Sequence, residues 1–288
     1  MNWIDIIKNT TLITLLIFGL MVVVELFELR YSGKLKSFFI ENKSLKYPLS
    51  SLLGLVPGCS GGYLMDTLYM AGISGFGGLT ATMIVSLGDE AFYLISLSAD
   101  PASSISPGLL GILLGTLFIL GIIGGGAADF VVTKFNISVS KKCSIDKHVE
   151  IDFPGMQWGH FIKDHVWKHI FKKHITKIFF WILAGLVLME LLVDAYDLRE
   201  NAADNMLLFL FLAGIIGIIP LSGPSMVIIT FFSHGIIPFS VLLTNAIVHE
   251  GHGLLPLLGF SLEDSFKLKL YKLSFAYCIG LIVYAAGF

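Results

Sequence analysis

Charge is scarce in this 288-residue chain. Asp, Glu, Lys and Arg together make up 14% of it, against about 25% in an ordinary soluble domain. Hydrophobic residues reach 55% and the mean hydropathy is +0.83, so the lipid bilayer is the expected solvent. Cysteine is scarce as well. Cys59, Cys143 and Cys278 are odd in number and widely spaced, which argues against a disulfide framework or a CxxC metal site. No GxxxxGK[ST] occurs, which excludes ATP hydrolysis through a P-loop. HEGH at 249–252 misses the zincin HExxH spacing by one residue, so the enzyme reading fares poorly. The net charge is −2 and the basic residues lie on short loops beside apolar runs, a pattern that gives no surface for nucleic acid.

What the chain does have is a repeat. Gly54 to Ile95 and Gly217 to Leu258 align without a gap. They share Gly54/Gly217, Pro57/Pro220, Thr67/Thr230, Gly72/Gly235, Phe76/Phe239, Gly88/Gly251 and Leu94/Leu257. Each copy sets ionisable residues inside an apolar run: Asp66, Asp89 and Glu90 in the first, His234, His249, Glu250 and His252 in the second. A duplicated membrane unit with interrupted helices and buried charge is the sequence pattern of a secondary transporter.

Apolar segments lie at about 10–29, 49–98, 106–133, 176–195, 205–260 and 268–287. The first, Thr10 to Leu29, is too long for a signal-peptide core and has no small-residue cleavage site, so it reads as a retained span carrying Glu25 and Glu28. Lysine and arginine crowd the loops Arg30–Tyr47, Lys134–Lys177 and Ser261–Lys272, whereas those near Asp100 and Arg199–Asp204 are poor in them. The positive-inside rule therefore puts the first three in the cytoplasm and the other two outside. The stretches 49–98 and 205–260 must then each cross an odd number of times. Fifty residues of helix reach about 75 Å, short of the roughly 90 Å of three full crossings. Each stretch is thus either three short spans or one span plus a re-entrant hairpin, bent near Pro57 and Pro220. The expected fold is an all-α polytopic membrane protein of about ten transmembrane segments, built as two inverted five-segment repeats. Residues 1–134 form the first repeat and 176–288 the second, inverted one. Residues 135–175 form a cytoplasmic loop rich in His and Lys, in which HFIKDHVWKHIFKKH reads as an interfacial amphipathic helix. A metal sensor or acceptor in that loop, with His165 and His169 at i, i+4, is the sharper alternative.

Carboxylates and imidazoles at membrane depth need a partner, and one shared cation serves several at once. Oxygen and imidazole nitrogen suit borderline divalent ions such as Mn²⁺, Fe²⁺, Co²⁺ or Zn²⁺ better than soft Cu(I). The candidate ligands are Asp89, Glu90, His249, Glu250, His252 and Asp66, with His249 and His252 sharing a helical face at i, i+3. For Asp66 a carboxylate bonded to backbone amides is the alternative. Glu25 and Glu28 in the first repeat match Glu190 and Asp194 in the second, and inversion places these pairs toward opposite membrane faces. They join Asn245 and Cys59 as supporting or proton-coupling groups, although Asn245 also reads as polar glue between helices and Cys59 as a small packed thiol. GLLGILLG and GIIGGGAAD between Gly108 and Asp129 read as close helix packing.

These motifs carry a resemblance. GLVPGCSGG, the GDE at Gly88–Glu90, GIIPLSGP, IPFSVLLTNAIVHEGHGLLPLL and DHVWKHIFKKH together resemble the bacterial family of ten-span heavy-metal exporters, members of which are labelled manganese transporters or arsenic efflux proteins. An acidic residue followed by Gly-His is usual there, so Glu250 and His252 match the pattern and His249 is a local variation. The resemblance implies ten spans and metal efflux. The expectation is an inner-membrane, prokaryotic, multi-pass exporter of divalent metal, Mn²⁺ above all, driven by proton antiport. It needs no cofactor beyond the transported ion. Its partners are the bilayer, the metal ion and protons as counter-ion, and it is compatible with a homodimer. Transport of an anion, an oxyanion or a lipid phosphate at helix N-termini, is the rival reading. It calls for basic residues within the spans, and none are visible there.

Overall fold

The structure, a computed structural model, describes residues 3–41, 45–101, 103–139, 166–167, 170–172, 174–195 and 205–288, with the side chains of 5, 24–44, 189–190 and 192–195 outside the description. The side chains of Glu25, Glu28, Glu190 and Asp194 fall in that second group, and His148, His160, His165 and His169 lie outside the described residues. The described chain is helical: α1 Trp3–Glu41, α2 Lys46–Gly54, α3 Ser60–Met70, α4 Phe76–Val85, α5 Glu90–Ser98, α6 Pro107–Lys134, α7 Thr176–Ala195, α8 Met206–Ile218, α9 Ser222–Ser233, α10 Phe239–Val248, α11 Leu255–Phe260 and α12 Leu262–Ala285. A single 3₁₀ turn at Gly251–Leu254 precedes α11.

Among the described residues, three helices are long and apolar enough to cross a bilayer: α1 over Ile6–Val23, α6 and α12. Their outer faces carry what a soluble protein would hide, with Ile112, Ile119 and Phe130 on α6 and Phe266 and Ile282 on α12 all more than half exposed. Local sequence sets their ends. Pro107 opens α6 behind Ser106, whose hydroxyl accepts the Leu109 amide at 3.1 Å, and Ser261 caps α12 through the Asp264 amide at 3.1 Å. The last segment therefore starts at Leu262, ahead of the expected 268, and takes the three lysines of the expected cytoplasmic loop into a helix.

The remaining helices near the centre are short. α2, α3, α4 and α5 have 9, 11, 10 and 9 residues, or about 14–17 Å each, half the thickness of the hydrocarbon layer. α2 and α4 start together at the Lys134 end of α6, where Asp129 bonds Lys46, the Tyr47 hydroxyl and the Gly77 amide. They also end together, with Gly54 tight against Thr82 and Val85 at the level of Gly121 in the middle of α6. α3 returns beside them. Of the two alternatives left by the sequence, the chain takes the second: α2–α3 is a re-entrant hairpin with its tip around Pro57 and α4–α5 is one span broken at its centre, so α1, the two hairpin arms, the broken span and α6 make the five segments of the first repeat.

The second copy repeats this in the same register. α8–α9 is a hairpin with its tip at Pro220, and α10 with α11 is a span broken at 249–254. Both α3 and α9 end in a left-handed glycine, Gly72 at φ 68 and Gly235 at φ 69. In each, that glycine and the following isoleucine bond back into the last turn (Gly72 to Tyr69, Ile73 to Leu68; Gly235 to Phe232, Ile236 to Phe231). The Thr82 hydroxyl donates to the Ser50 carbonyl at 2.8 Å, and Asn245 donates to the Ala213 carbonyl at 2.8 Å. Those donors and acceptors are equivalent positions, so the repeat extends beyond the aligned segment into α2 and α8. The base of the first hairpin lies near the C-terminal end of α6, where Tyr69 bonds Asp264 and Lys267 of α12 reaches the Ser138 carbonyl. The base of the second lies at the other end, where the Ser233 carbonyl accepts the Ser104 amide at 2.8 Å. The hairpins enter from opposite faces, and the repeats are inverted.

Candidate metal centre

Both helix breaks require a residue that tolerates a left-handed backbone, and both use glycine: Gly88 at φ 58 and Gly251 at φ 57. The two meet at the centre of the molecule. A Cβ on Gly88 would lie 3.1 Å from the Gly251 Cα, and one on Gly251 3.3 Å from the Gly88 Cα. Equivalent residues touching one another mark a local two-fold axis. The residue after each glycine faces the axis: Asp89 Oδ2 is 3.9 Å from His252 Nδ1. The first hairpin joins through backbone pairing, with the Gly58 amide donating to the Gly88 carbonyl at 3.0 Å, which brings Cys59 beside Asp89. One ligand atom each from Cys59, Asp89 and His252 lies within 4.8 Å of the others.

A fourth group comes from the segment leading into α7. His174 Nδ1 is 2.9 Å from Asp89 Oδ2, and its ring stands edge-on to His252 at 5.9 Å. Nearby, Trp167 stacks on Phe171 at 4.9 Å and Phe171 meets Phe18 of α1, which fixes this segment against the bundle. A cavity of about 290 Å³ opens beside the cluster, lined by Asp89, His174, Trp181, Ser222, Met226 and His252, with exposed Lys177 at its edge. Ser222 is the second-copy equivalent of Cys59, so the centre is built from two pairs of equivalent positions.

The other expected ligands sit around this cluster and make different contacts. His249 was expected to share a helical face with His252, but α10 ends at Val248 and His249 is extended (φ −76, ψ 146), which turns the two rings apart. His249 Nε2 instead lies 2.6 Å from Glu90 Oε1, both side chains 1% exposed. Glu250 lies away from Asp89, held between two lysines of α12, with Oε2 2.9 Å from Lys269 and 2.8 Å from Lys272. Asp66 accepts the Leu257 amide at the start of α11 at 3.1 Å, the backbone-bonded alternative for that residue. Asn245 bonds the Ala213 carbonyl and joins α10 to α8.

The lysines correct the sequence expectation that no basic residue lies within the spans. Lys269 is 8% exposed and Lys272 is fully buried. Their ammonium groups cover carbonyls that the broken helices leave without partners. Lys269 reaches Gly217 and Val248, and Lys272 reaches Met83 and His249, at the C-terminal ends of α8, α10 and α4. Facing carbonyls and Glu250, they do not line the cavity at Asp89. Hydropathy alone could not have found them, nor His174, whose neighbours read as an interfacial helix. The one available signal was that His174 closes the histidine-rich run immediately before an apolar span.

Comparison with known proteins gives one match. The model of a family described as "Putative, 10TM heavy-metal exporter" matches residues 9–174 and, overlapping these, residues 156–286. No curated protein and no solved structure matches the chain.

Proposed function

The chain belongs to the ten-transmembrane heavy-metal exporter family, and from that premise we propose that it carries a divalent transition-metal cation out of the cytoplasm, across a prokaryotic inner membrane, in exchange for protons. The observation that carries this reading is the pair Asp89 and His252, equivalent residues of two inverted repeats held 3.9 Å apart where two broken helices cross. Interrupted helices at the centre of inverted repeats are where secondary transporters hold their cargo, and rocking of one repeat against the other exposes such a site to each face in turn. The cavity beside Asp89 opens toward the N-terminal end of α7, the end that follows the lysine-rich loop. It is the cytoplasmic entrance in this reading.

Charge supports a cationic guest. Around the crossing, Asp66, Asp89, Glu90 and Glu250 are all at most 3% exposed and the buried Lys269 and Lys272 face Glu250, whereas the equally buried Asp264 lies at the base of the first hairpin with Tyr69. Four carboxylates against two ammonium groups leave a formal excess of two negative charges, which one divalent cation or two protons balance. The Glu90–His249 contact is a ready place for one such proton. Moving a 2+ ion outward against an inside-negative 100 mV requires about 4.6 kcal/mol, and with no nucleotide site a proton gradient is the natural source. Mn²⁺ is the member of this class favoured by the carboxylate and imidazole set read from sequence. Anion transport loses its main support, because both buried lysines are engaged by Glu250 and helix-end carbonyls.

Metal flux into inverted membrane vesicles tests the proposal. Native protein should accumulate metal when the interior is acidic, and Asp89→Ala and His252→Ala should each abolish it. Full flux in both variants would move the site elsewhere. Affinity should weaken as pH falls from about 7.5 to 5.5, because imidazole must be neutral to bind metal. Binding unchanged across that window would remove the proton coupling.

A further inference from the structure

From the ligand set itself, and resting on the exporter reading above, we infer that the cargo is thiophilic: Cys59 and His174 complete a four-ligand site with Asp89 and His252 that selects Zn²⁺-like ions over Mn²⁺. The sequence placed neither Cys59 nor His174 among the ligands. The structure brings a thiol, a carboxylate and an imidazole within 4.8 Å of one another and puts a second imidazole 2.9 Å from the same carboxylate. Metal–ligand bonds of about 2.0–2.3 Å place neighbouring donor atoms ~3.5 Å apart in a tetrahedron, so the Cys59, Asp89 and His252 donors must draw together by about 1 Å around an ion while the 2.9 Å His174–Asp89 contact lengthens.

The donor types decide the cargo. One thiolate, two imidazoles and one carboxylate is a sulfur and nitrogen set, which suits Zn²⁺ and the similar Co²⁺ and Cd²⁺. Mn²⁺ prefers six oxygen-rich ligands, and its affinity for a mixed site is the lowest of the first-row series. The contacts that could supply more oxygens are turned away. Glu250 is held by Lys269 and Lys272, Glu90 by His249, and Asp66 by the Leu257 amide. The origin of each ligand fits a transport cycle too. Asp89 and Cys59 belong to the first repeat, where the Gly58–Gly88 backbone pairing locks them together. His252 belongs to the second, and His174 enters from the segment leading into α7 on the cavity side. A movement of α7 or of one repeat separates the ligands and releases the ion.

Co²⁺ is the probe, added to the purified full-length protein in detergent with the thiol reduced. Native protein should bind it with a near-ultraviolet thiolate-to-Co²⁺ charge-transfer band and the intense visible absorption of tetrahedral coordination. Cys59→Ser should keep weaker Co²⁺ binding and lose the charge-transfer band. His174→Ala should keep the band and weaken binding about 10-fold or more. Zn²⁺ and Cd²⁺ should displace Co²⁺, whereas Mn²⁺ should fail to do so at an excess of about 100-fold. Native protein that binds Co²⁺ without the band, or that yields it equally to Mn²⁺, would overturn the thiophilic site and leave the exporter reading intact. Native protein that binds none of these ions, while eluting as a single folded species, would overturn both.

Discussion

Where the first repeat carries Asp89, the second carries His252; Cys59 faces Ser222, Glu90 faces Gly253, Leu87 faces Glu250 and Thr82 faces Asn245. The backbone beneath these pairs is the same, down to the left-handed glycines at 72 and 235 and at 88 and 251. The first copy supplies the thiol and a carboxylate, while the second supplies an imidazole and a carboxylate locked to lysine. The polar clamps differ as well. The first hairpin is tied at its base, where Lys46, Tyr47 and the Gly77 amide all converge on the partly exposed Asp129. The second is tied at the centre of the molecule, by Lys269 on the carbonyls that end α8 and α10. Alternating access asks for interchangeable backbones, so that either repeat can rock against the other. A binding site asks for complementary ligands, and here divergence at a few facing positions meets both demands.

The largest effect should come from breaking the central clamp. Glu250→Gln leaves two buried ammonium groups without a counter-charge and should lower stability by about 3–5 kcal/mol, read as a fall in the thermal midpoint of the purified protein. Giving the second copy the apolar character of the first, with Glu250→Leu, Lys269→Met and Lys272→Met together, should recover much of that loss, since a buried ion group replaced whole by apolar residues is often neutral. A triple variant as unstable as Glu250→Gln would show that the helix-end carbonyls depend on the lysines more than on charge balance.

Next in size is exchange of ligands across the axis. Asp89→His or His252→Asp alone should reduce metal affinity about 10- to 100-fold, because each leaves two like groups facing each other. The double exchange restores one carboxylate opposite one imidazole and should return affinity to within about 10-fold of native. Titration of Co²⁺ into the three variants measures this. No recovery in the double variant would mean that His174 and Cys59 bind only a carboxylate placed at 89, and that the two positions are equivalent in backbone alone.

Much of this frame was legible in the sequence, because a turn or a left-handed residue limits the residue type locally. Gly72, Gly88, Gly235 and Gly251 announce the repeat and its breaks, and the residues next to the central pair are the ones that face each other. The parts that escaped depend on distant contacts. Cys59 owes its place to pairing between residues 58 and 88. His174 lies in a stretch whose lysines and aromatic residues fit a membrane surface equally well. Lys269 and Lys272 looked like loop charges because hydropathy does not distinguish a lysine in water from one that covers helix-end carbonyls. The pairing of His249 with His252 failed for a local reason, since helical spacing applies only while the helix continues, and α10 stops at Val248.

The smallest predicted effect bears on how closely the two copies match. Thr82→Val and Asn245→Leu each remove one buried hydrogen bond between a broken span and its hairpin, to the Ser50 carbonyl in the first copy and the Ala213 carbonyl in the second. Each should lower stability by about 1 kcal/mol. The two losses should add in the double variant to within about 0.5 kcal/mol, because the sites share no partner. Thermal midpoints for the two single variants and the pair provide the comparison. Equal and additive losses mean that both hairpins are held to their broken spans with the same strength, as interchangeable rocking units should be. A loss confined to Asn245 would mean that the first hairpin is held mainly through Asp129 at its base and the second mainly at its tip.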